Sequence, residues 1–171
     1  MRLWLRRRWP LAVLSIGLLT LVLLPLRSPA SAAATRYEAE NATISQGVVE
    51  SNHLGFSGTG FVNYDNLVGS NVQWTVNAAS AGTAKLTFRY ANGTTTNRPM
   101  DITVNGALVA DELAFNPTGN WDTWANATVT VNLTAGTNTV RATATTVNGG
   151  PNADCLDLQP TSTGPKQMMR R

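Results

Sequence analysis

The chain has 171 residues, room for one ordinary domain with extensions. Thirteen Lys and Arg against ten Asp and Glu give +3 overall, yet eight of the cations sit near the two ends (Arg2, Arg6, Arg7, Arg8, Arg27, Lys166, Arg170, Arg171). Between Thr35 and Pro160 five cations face all ten acids, a net charge of −5, which excludes a nucleic-acid partner gripped through its phosphates. The single Cys155 rules out an intramolecular disulfide or a Cys-based zinc site, and the single His53 rules out any centre needing two imidazoles.

Residues 1–34 read as a secretion signal. Arg6-Arg7-Arg8 supplies a positive head, Trp9 to Leu26 is almost wholly apolar, and Ser28-Pro29-Ala30-Ser31-Ala32-Ala33-Ala34 offers the small residues that a signal peptidase accepts. A retained anchor is the competing reading, since about 18 apolar residues can just span a bilayer. The mature protein is therefore expected outside the cell, in contact with a membrane only if the leader stays uncleaved.

The body, residues 35–160, holds twenty Thr and sixteen Asn, and no stretch carries the 3.6-residue apolar period of a helix. Strands are predicted in order at Tyr37–Ala42 and Phe61–Tyr64, then around Val72-Trp74-Val76 and Leu86-Phe88-Tyr90, where apolar and polar residues alternate. Ile102 and Val104 continue the pattern into Asn105-Gly106, a pair suited to the positive dihedrals of a type I′ hairpin turn, with Ala107–Val109 as the return strand. Thr123–Leu133, Thr139–Thr145 and Asp154–Leu158 complete the set. Regular strands joined by Gly, Asn and Pro turns predict an all-β chain, an antiparallel β-sandwich of jelly-roll type. Residues 161–171 have the composition of a linker.

Several stretches resemble carbohydrate-binding modules of families 35 and 6. They are Tyr37-Glu38-Ala39-Glu40, Gly58-Thr59-Gly60-Phe61-Val62-Asn63-Tyr64, Trp121-Asp122-Thr123-Trp124 and Gly149-Gly150-Pro151-Asn152-Ala153-Asp154. Phe88-Arg89-Tyr90-Ala91-Asn92-Gly93, Arg98-Pro99 and Val104-Asn105-Gly106 point to family 35 in particular. The likeness covers residues 36–160, with Cys155 as a departure where the family more often has an aromatic. It implies a non-catalytic jelly roll, at least one bound calcium, and a glycan site among loops at one end of the sandwich. Uronic acids, mannans and galactose-containing glycans are the implied ligands.

Candidate site residues follow from the chemistry. Calcium takes six to eight hard oxygen ligands. Glu38 and Glu40, at i and i+2, are expected on one face of a strand, where two like charges repel unless a cation sits between them. Asp157 is the expected third donor if the first and last strands pair as in the resembled fold, with Asp154 as its alternate and carbonyls of Ser57–Gly60 filling the shell. Two solvated glutamates on an edge strand are the plainer alternative.

Glycans are held by flat rings against sugar C–H faces and by amides or guanidinium groups on hydroxyls and carboxylates. Trp121, after the Pro117-Thr118-Gly119-Asn120 turn, is the expected platform, whereas Trp124 is expected in a strand and in the core, as is Trp74. Tyr64 resembles a second aromatic wall, with strand core as the alternative, and Asn152 resembles the family's sugar-bonding amide. Arg98, in the Thr94–Pro99 loop, suits bidentate capture of a uronic acid, or is a surface arginine paired with nothing. His53 is expected to be a solvated loop residue, and the four Asn-X-Thr sequons at Asn41, Asn92, Asn126 and Asn132 to be accidents of composition.

The expected function is a secreted, monomeric, calcium-dependent module that binds polysaccharide without cleaving it. A shallow site for one or two sugars implies a Kd of roughly micromolar to millimolar. A hydrolase needs two carboxylates across a groove, for which Asp111 and Glu112 are the available pair, and an adhesion domain binding protein is a third possibility.

Overall fold

The computed structural model describes residues 33–161, so nearly all of the predicted leader and of the predicted tail lies outside the described residues. Eleven strands run in chain order: β1 (Thr35–Glu38), β2 (Thr43–Ser45), β3 (Gly47–Glu50), β4 (Phe61–Tyr64), β5 (Asn71–Ala78), β6 (Gly82–Ala91), β7 (Met100–Val104), β8 (Ala107–Leu113), β9 (Ala125–Leu133), β10 (Gly136–Ala144) and β11 (Asn152–Pro160). One sheet is ordered β3-β4-β11-β6-β9 with β1 also on β11, and the other β2-β5-β10-β7-β8. Every pairing is antiparallel. This is the expected β-sandwich.

The alternation read from the sequence is the alternation of burial. Val72, Trp74 and Val76 on β5 face Leu86, Phe88 and Tyr90 on β6 across the sandwich core, joined there by Ile102 and Val140 from the β5 sheet and Leu156 from the β6 sheet. Trp74 meets Phe88 edge-on at 5.8 Å, and Phe115 bridges Phe88 and Tyr90 at 6.1 and 4.9 Å. The Asn105-Gly106 hairpin forms as predicted, with φ of 51° and 83° in the left-handed region that a type I′ turn demands.

Two local predictions differ. The strand expected over Tyr37–Ala42 stops at Glu38, and Ala39–Asn41 form a single 3-10 turn that carries the chain from one sheet to the other. Ala39 is fully buried in that turn, so the crossover is fixed by packing. Trp124 lies just before β9, in the loop, and is half-buried outside the core cluster.

One irregularity positions the functional region. Along the same edge of β11, β4 pairs with Asn152 and Ala153 while β1 pairs with Cys155 to Leu158. Asp154 falls in the gap between these neighbours, at a β-bulge in the β11–β6 ladder. A bulge adds one residue and re-aims the side chains around it.

Candidate functional site

Asp154 is fully buried, and its carboxylate is filled with donors. The Ser57 N–H donates to Oδ1 at 2.7 Å, the Ser57 hydroxyl to Oδ2 at 3.1 Å, and the Arg89 guanidinium forms an ion pair with Oδ2. The same Ser57 hydroxyl lies 2.7 Å from Glu38 Oε2, and Glu40 Oε1 accepts from the Thr59 N–H at 2.7 Å and the Thr59 hydroxyl at 3.1 Å. Gly58 (φ 67°) sits where a Cβ would strike the Glu40 carboxylate and crowd Glu38. Glu38, Glu40 and Asp154 are thus gathered around Ser57–Thr59, although Glu40 comes from a 3-10 turn and not from the strand face expected.

Asp157 does not join them. It lies opposite Arg36 in the β1–β11 register and accepts two hydrogen bonds from that guanidinium, both at 2.8 Å. The bulge explains the exchange: it sets Asp154 into the gap beside Glu38, leaving Asp157 three residues further along β11. Asp154, the alternate, therefore takes the place expected of Asp157.

Among the described residues, no three Asp, Glu, His or Cys side chains converge on a common point tightly enough to form a ready-made metal set. The donors nonetheless fit a hard cation in kind, because Glu40 Oε2 is buried with no hydrogen-bond partner and the Gly58 backbone passes close against both glutamate carboxylates.

A second cluster forms a cleft of about 320 Å³ lined by Glu50, Asn52, His53, Asn63, Asn66, Arg98, Trp121 and Asn152. Adjacent strands supply Asn63 and Asn152, which are register partners on β4 and β11. The buried Asn92 amide supplies the shape of the Arg98 loop: it donates to the carbonyls of Thr96 and Phe115, both at 2.9 Å. That burial also makes the Asn92 sequon unreachable.

Arg98 is only 8% exposed and forms no ion pair among the described residues. Its Nη1 donates to Gly150 O at 2.8 Å and Asn66 Oδ1 at 3.2 Å, its Cζ lies 5.5 Å from the Trp121 ring centre, and its Nε is buried without an acceptor. Burial pushes its pKa down, the mark of a cation short of a counter-charge. Arg98 is thus neither the free surface arginine of one expectation nor a partner of Glu50, whose carboxylate instead accepts from Asn63 at 3.1 Å.

Trp121 is half-buried in the β8–β9 loop, where Gly93 approaches so closely that a Cβ there would meet the indole at 2.5 Å. His53 backs the ring in a stacked arrangement at 6.2 Å. It is not the solvated residue expected: its Nδ1 lies 3.2 Å from Asp122 Oδ1, and its ring also contacts Phe61. The Asp122 carboxyl is held below the ordinary range chiefly by the Leu54 N–H, with His53 adding to the effect.

Of the four predicted glycan contacts, the structure gathers Arg98, Trp121 and Asn152 in one cleft. Tyr64 stays out. It is 3% exposed, its hydroxyl donates to Ala142 O at 3.2 Å, burial raises its pKa, and Gly150 packs across its ring. It supports the cleft from beneath and forms no wall. Glu50, Asn52, Asn63 and Asn66 were not singled out in the sequence, and His53 only as a solvated loop residue, although Asn63 falls inside the resembled Gly58–Tyr64 stretch and carried the available signal.

The model of the family "Carbohydrate binding module (family 6)" matches residues 38–159. A solved family 35 carbohydrate-binding module from Clostridium thermocellum is 48% identical with a TM-score of 0.73, covering 74% of this chain and 98% of that one. Another solved family 35 module, Xyl-CBM35 in complex with a glucuronic acid containing disaccharide, is 38% identical with a TM-score of 0.68 and covers 74% and 94%. Among whole proteins, the exo-beta-D-glucosaminidase of Amycolatopsis orientalis is 60% identical over 97 residues, 57% of this chain and 9% of the enzyme. The endo-1,4-beta-xylanase B of Cellvibrio japonicus is 43% identical over 88 residues, 51% and 15%. The chain thus spans a small fraction of these two enzymes but nearly the whole of the solved modules. With the family model and the sandwich in agreement, the chain belongs to the carbohydrate-binding modules, as a family 35 module of the family 6-like kind.

Proposed function

We propose that the chain is an exported, non-catalytic module that holds a uronic-acid-bearing glycan in the cleft around Trp121 and Arg98, on a frame braced by calcium. The observation that carries this reading is Arg98, a buried guanidinium with no carboxylate partner that lies against an aromatic ring and opens on the cleft. A desolvated cation of this kind favours an anionic group on the ligand, gripped in bidentate fashion. Trp121 offers its face to the sugar ring, while Asn63, Asn66 and Asn152 offer amides to hydroxyls. The solved relative holding a glucuronic acid containing disaccharide supports the choice of acid.

For the metal, the supporting observations are the orphaned Glu40 oxygen and the gathering of Glu38, Glu40 and Asp154 around Ser57. Calcium there, together with the Arg89 guanidinium, would balance the charge of three carboxylates, with nearby backbone carbonyls completing its shell. Asp111 and Glu112, the pair considered for hydrolysis, are exposed on the edge strand β8. The apolar leader in the sequence supports export.

Isothermal titration of the full chain with glucuronic acid, mannan and galactan oligosaccharides, with and without chelator, tests the reading. Glucuronic acid is expected to bind at roughly micromolar to millimolar Kd and more weakly after chelation. Arg98→Lys is expected to lose most of the acid's advantage over neutral sugars. Equal binding of acid and neutral glycans, or binding of none, defeats the proposal.

A further inference from the structure

We propose that Arg89 is a positioning residue that ties the carboxylate cluster to the Trp121 platform through the 53–57 strap, so that the state of one is felt at the other. The inference rests on the proposed roles of the two clusters but concerns residues to which neither role assigns a contact. The segment between β3 and β4 has no regular ladder, and side chains from elsewhere satisfy its backbone instead. Leu54 N–H donates to Asp122 at 2.8 Å, Leu54 O accepts from Trp124 Nε1 at 2.8 Å, and Gly55 O accepts from Arg89 Nη2 at 2.8 Å. Ser57 N–H is held by Asp154.

Arg89 stands at the centre of this arrangement. One arm of its guanidinium pairs with Asp154, the other holds Gly55 O, and its Cζ lies over the Trp124 ring, 5.2 Å from the ring centre. Gly55 (φ 81°) lies against the same indole, where a Cβ would be 3.4 Å away. Beyond Gly55 the chain leads to His53, whose imidazole backs Trp121. The links from Asp154 to Trp121 are therefore an ion pair, a hydrogen bond, two residues of the strap's own backbone and a ring contact, and two carboxylates, Asp154 and Asp122, pin the strap at its two ends. Any event that redirects Asp154 must either drag Arg89 or leave a buried charge unpaired, and dragging Arg89 moves Gly55.

Arg89→Lys separates the link from a merely structural role. An ammonium can stay with Asp154 but lacks the fork needed to hold Gly55 O as well. The full-length Arg89→Lys variant is expected to melt close to the parent, yet to bind glucuronic acid roughly threefold to tenfold more weakly. In a His53→Ala background the same change is expected to add little, because the last link is already cut. The Trp121 indole N–H resonance, assigned by its loss in Trp121→Phe, is expected to shift in Arg89→Lys without any sugar present. An unmoved Trp121 resonance with unchanged affinity overturns the link. A parent that binds no sugar while that resonance still shifts defeats the proposed function and leaves the link standing.

Discussion

The two clusters at this end of the sandwich are built from similar polar residues and differ in what they leave unspent. Around Asp154 four of the six oxygens of Glu38, Glu40 and Asp154 already have a donor from Ser57, Thr59 or Arg89, and Glu40 Oε2 is buried without one. Around Trp121 the accounts are open: Arg98 has no counter-charge, and Asn152, though buried, makes no side-chain hydrogen bond among the described residues. The first is a fastening that holds loop to sheet; the second is a surface whose hydrogen-bonding capacity waits for something else. Spent polarity stabilises a fold, and unspent polarity costs stability unless a ligand uses it.

That contrast is sharpened by mutation. Asp154→Ala leaves the Arg89 guanidinium without its carboxylate and frees the Ser57 N–H, so the largest loss of stability is expected here, about 3–5 kcal/mol in urea unfolding. Loss of glycan binding with a normal melting curve would place Asp154 in the wrong class. Trp121→Ala should do the reverse, with little change in melting temperature and at least about a tenfold rise in Kd for glucuronic acid, or roughly 1.4 kcal/mol. A smaller effect is expected from Gly93→Ala, whose new methyl must displace the indole it now touches. A few-fold weaker Kd with an intact fold is the expected result, read by titration and by the Trp121 resonance.

The smallest effect concerns Cys155, which is buried beside Asp154 and whose thiol burial pushes up to about 12. In the folded chain it should resist thiol reagents until the protein unfolds. The unfolded thiol ionises near pH 9 while the folded one stays neutral. Stability from this group is therefore complete below pH 9 and declines as pH rises toward 12. The difference in pH slope between the parent and Cys155→Ala, in denaturant titrations above pH 9, measures it.

The sandwich was legible because burial on a pleated sheet has a period of two, and β5, β6 and β7 carry it without interruption. What the sequence concealed arises from irregular backbone. The 3-10 turn at Ala39–Asn41 interrupts a run that looks like a continuous strand, and the bulge at Asp154 sets that aspartate, and not Asp157 three residues on, beside the Ser57 loop. Neither feature has a local sequence signature, since each is decided by which neighbour lies on the edge of β11. Trp121 and Arg98 could be singled out because their residue types match sugar chemistry wherever they fall, and the structure places both at one cleft. Tyr64 misled for the same reason, as an aromatic ring serves a core as readily as a cleft. His53 was invisible as a buttress because its partners, Asp122 and Trp121, are more than 65 positions away.

Pairing of the first strand with the last sets Thr35 across from Leu158, so the described chain enters and leaves the module side by side. Asn152 stands eight residues up β11 from Pro160, about 25 Å at the usual rise of an extended strand. Polypeptide attached at either terminus would leave from the pole remote from the cleft, and a bulky neighbour on both tethers would still leave the mouth unobstructed. Such a module can hang as a pendant with its open end forward.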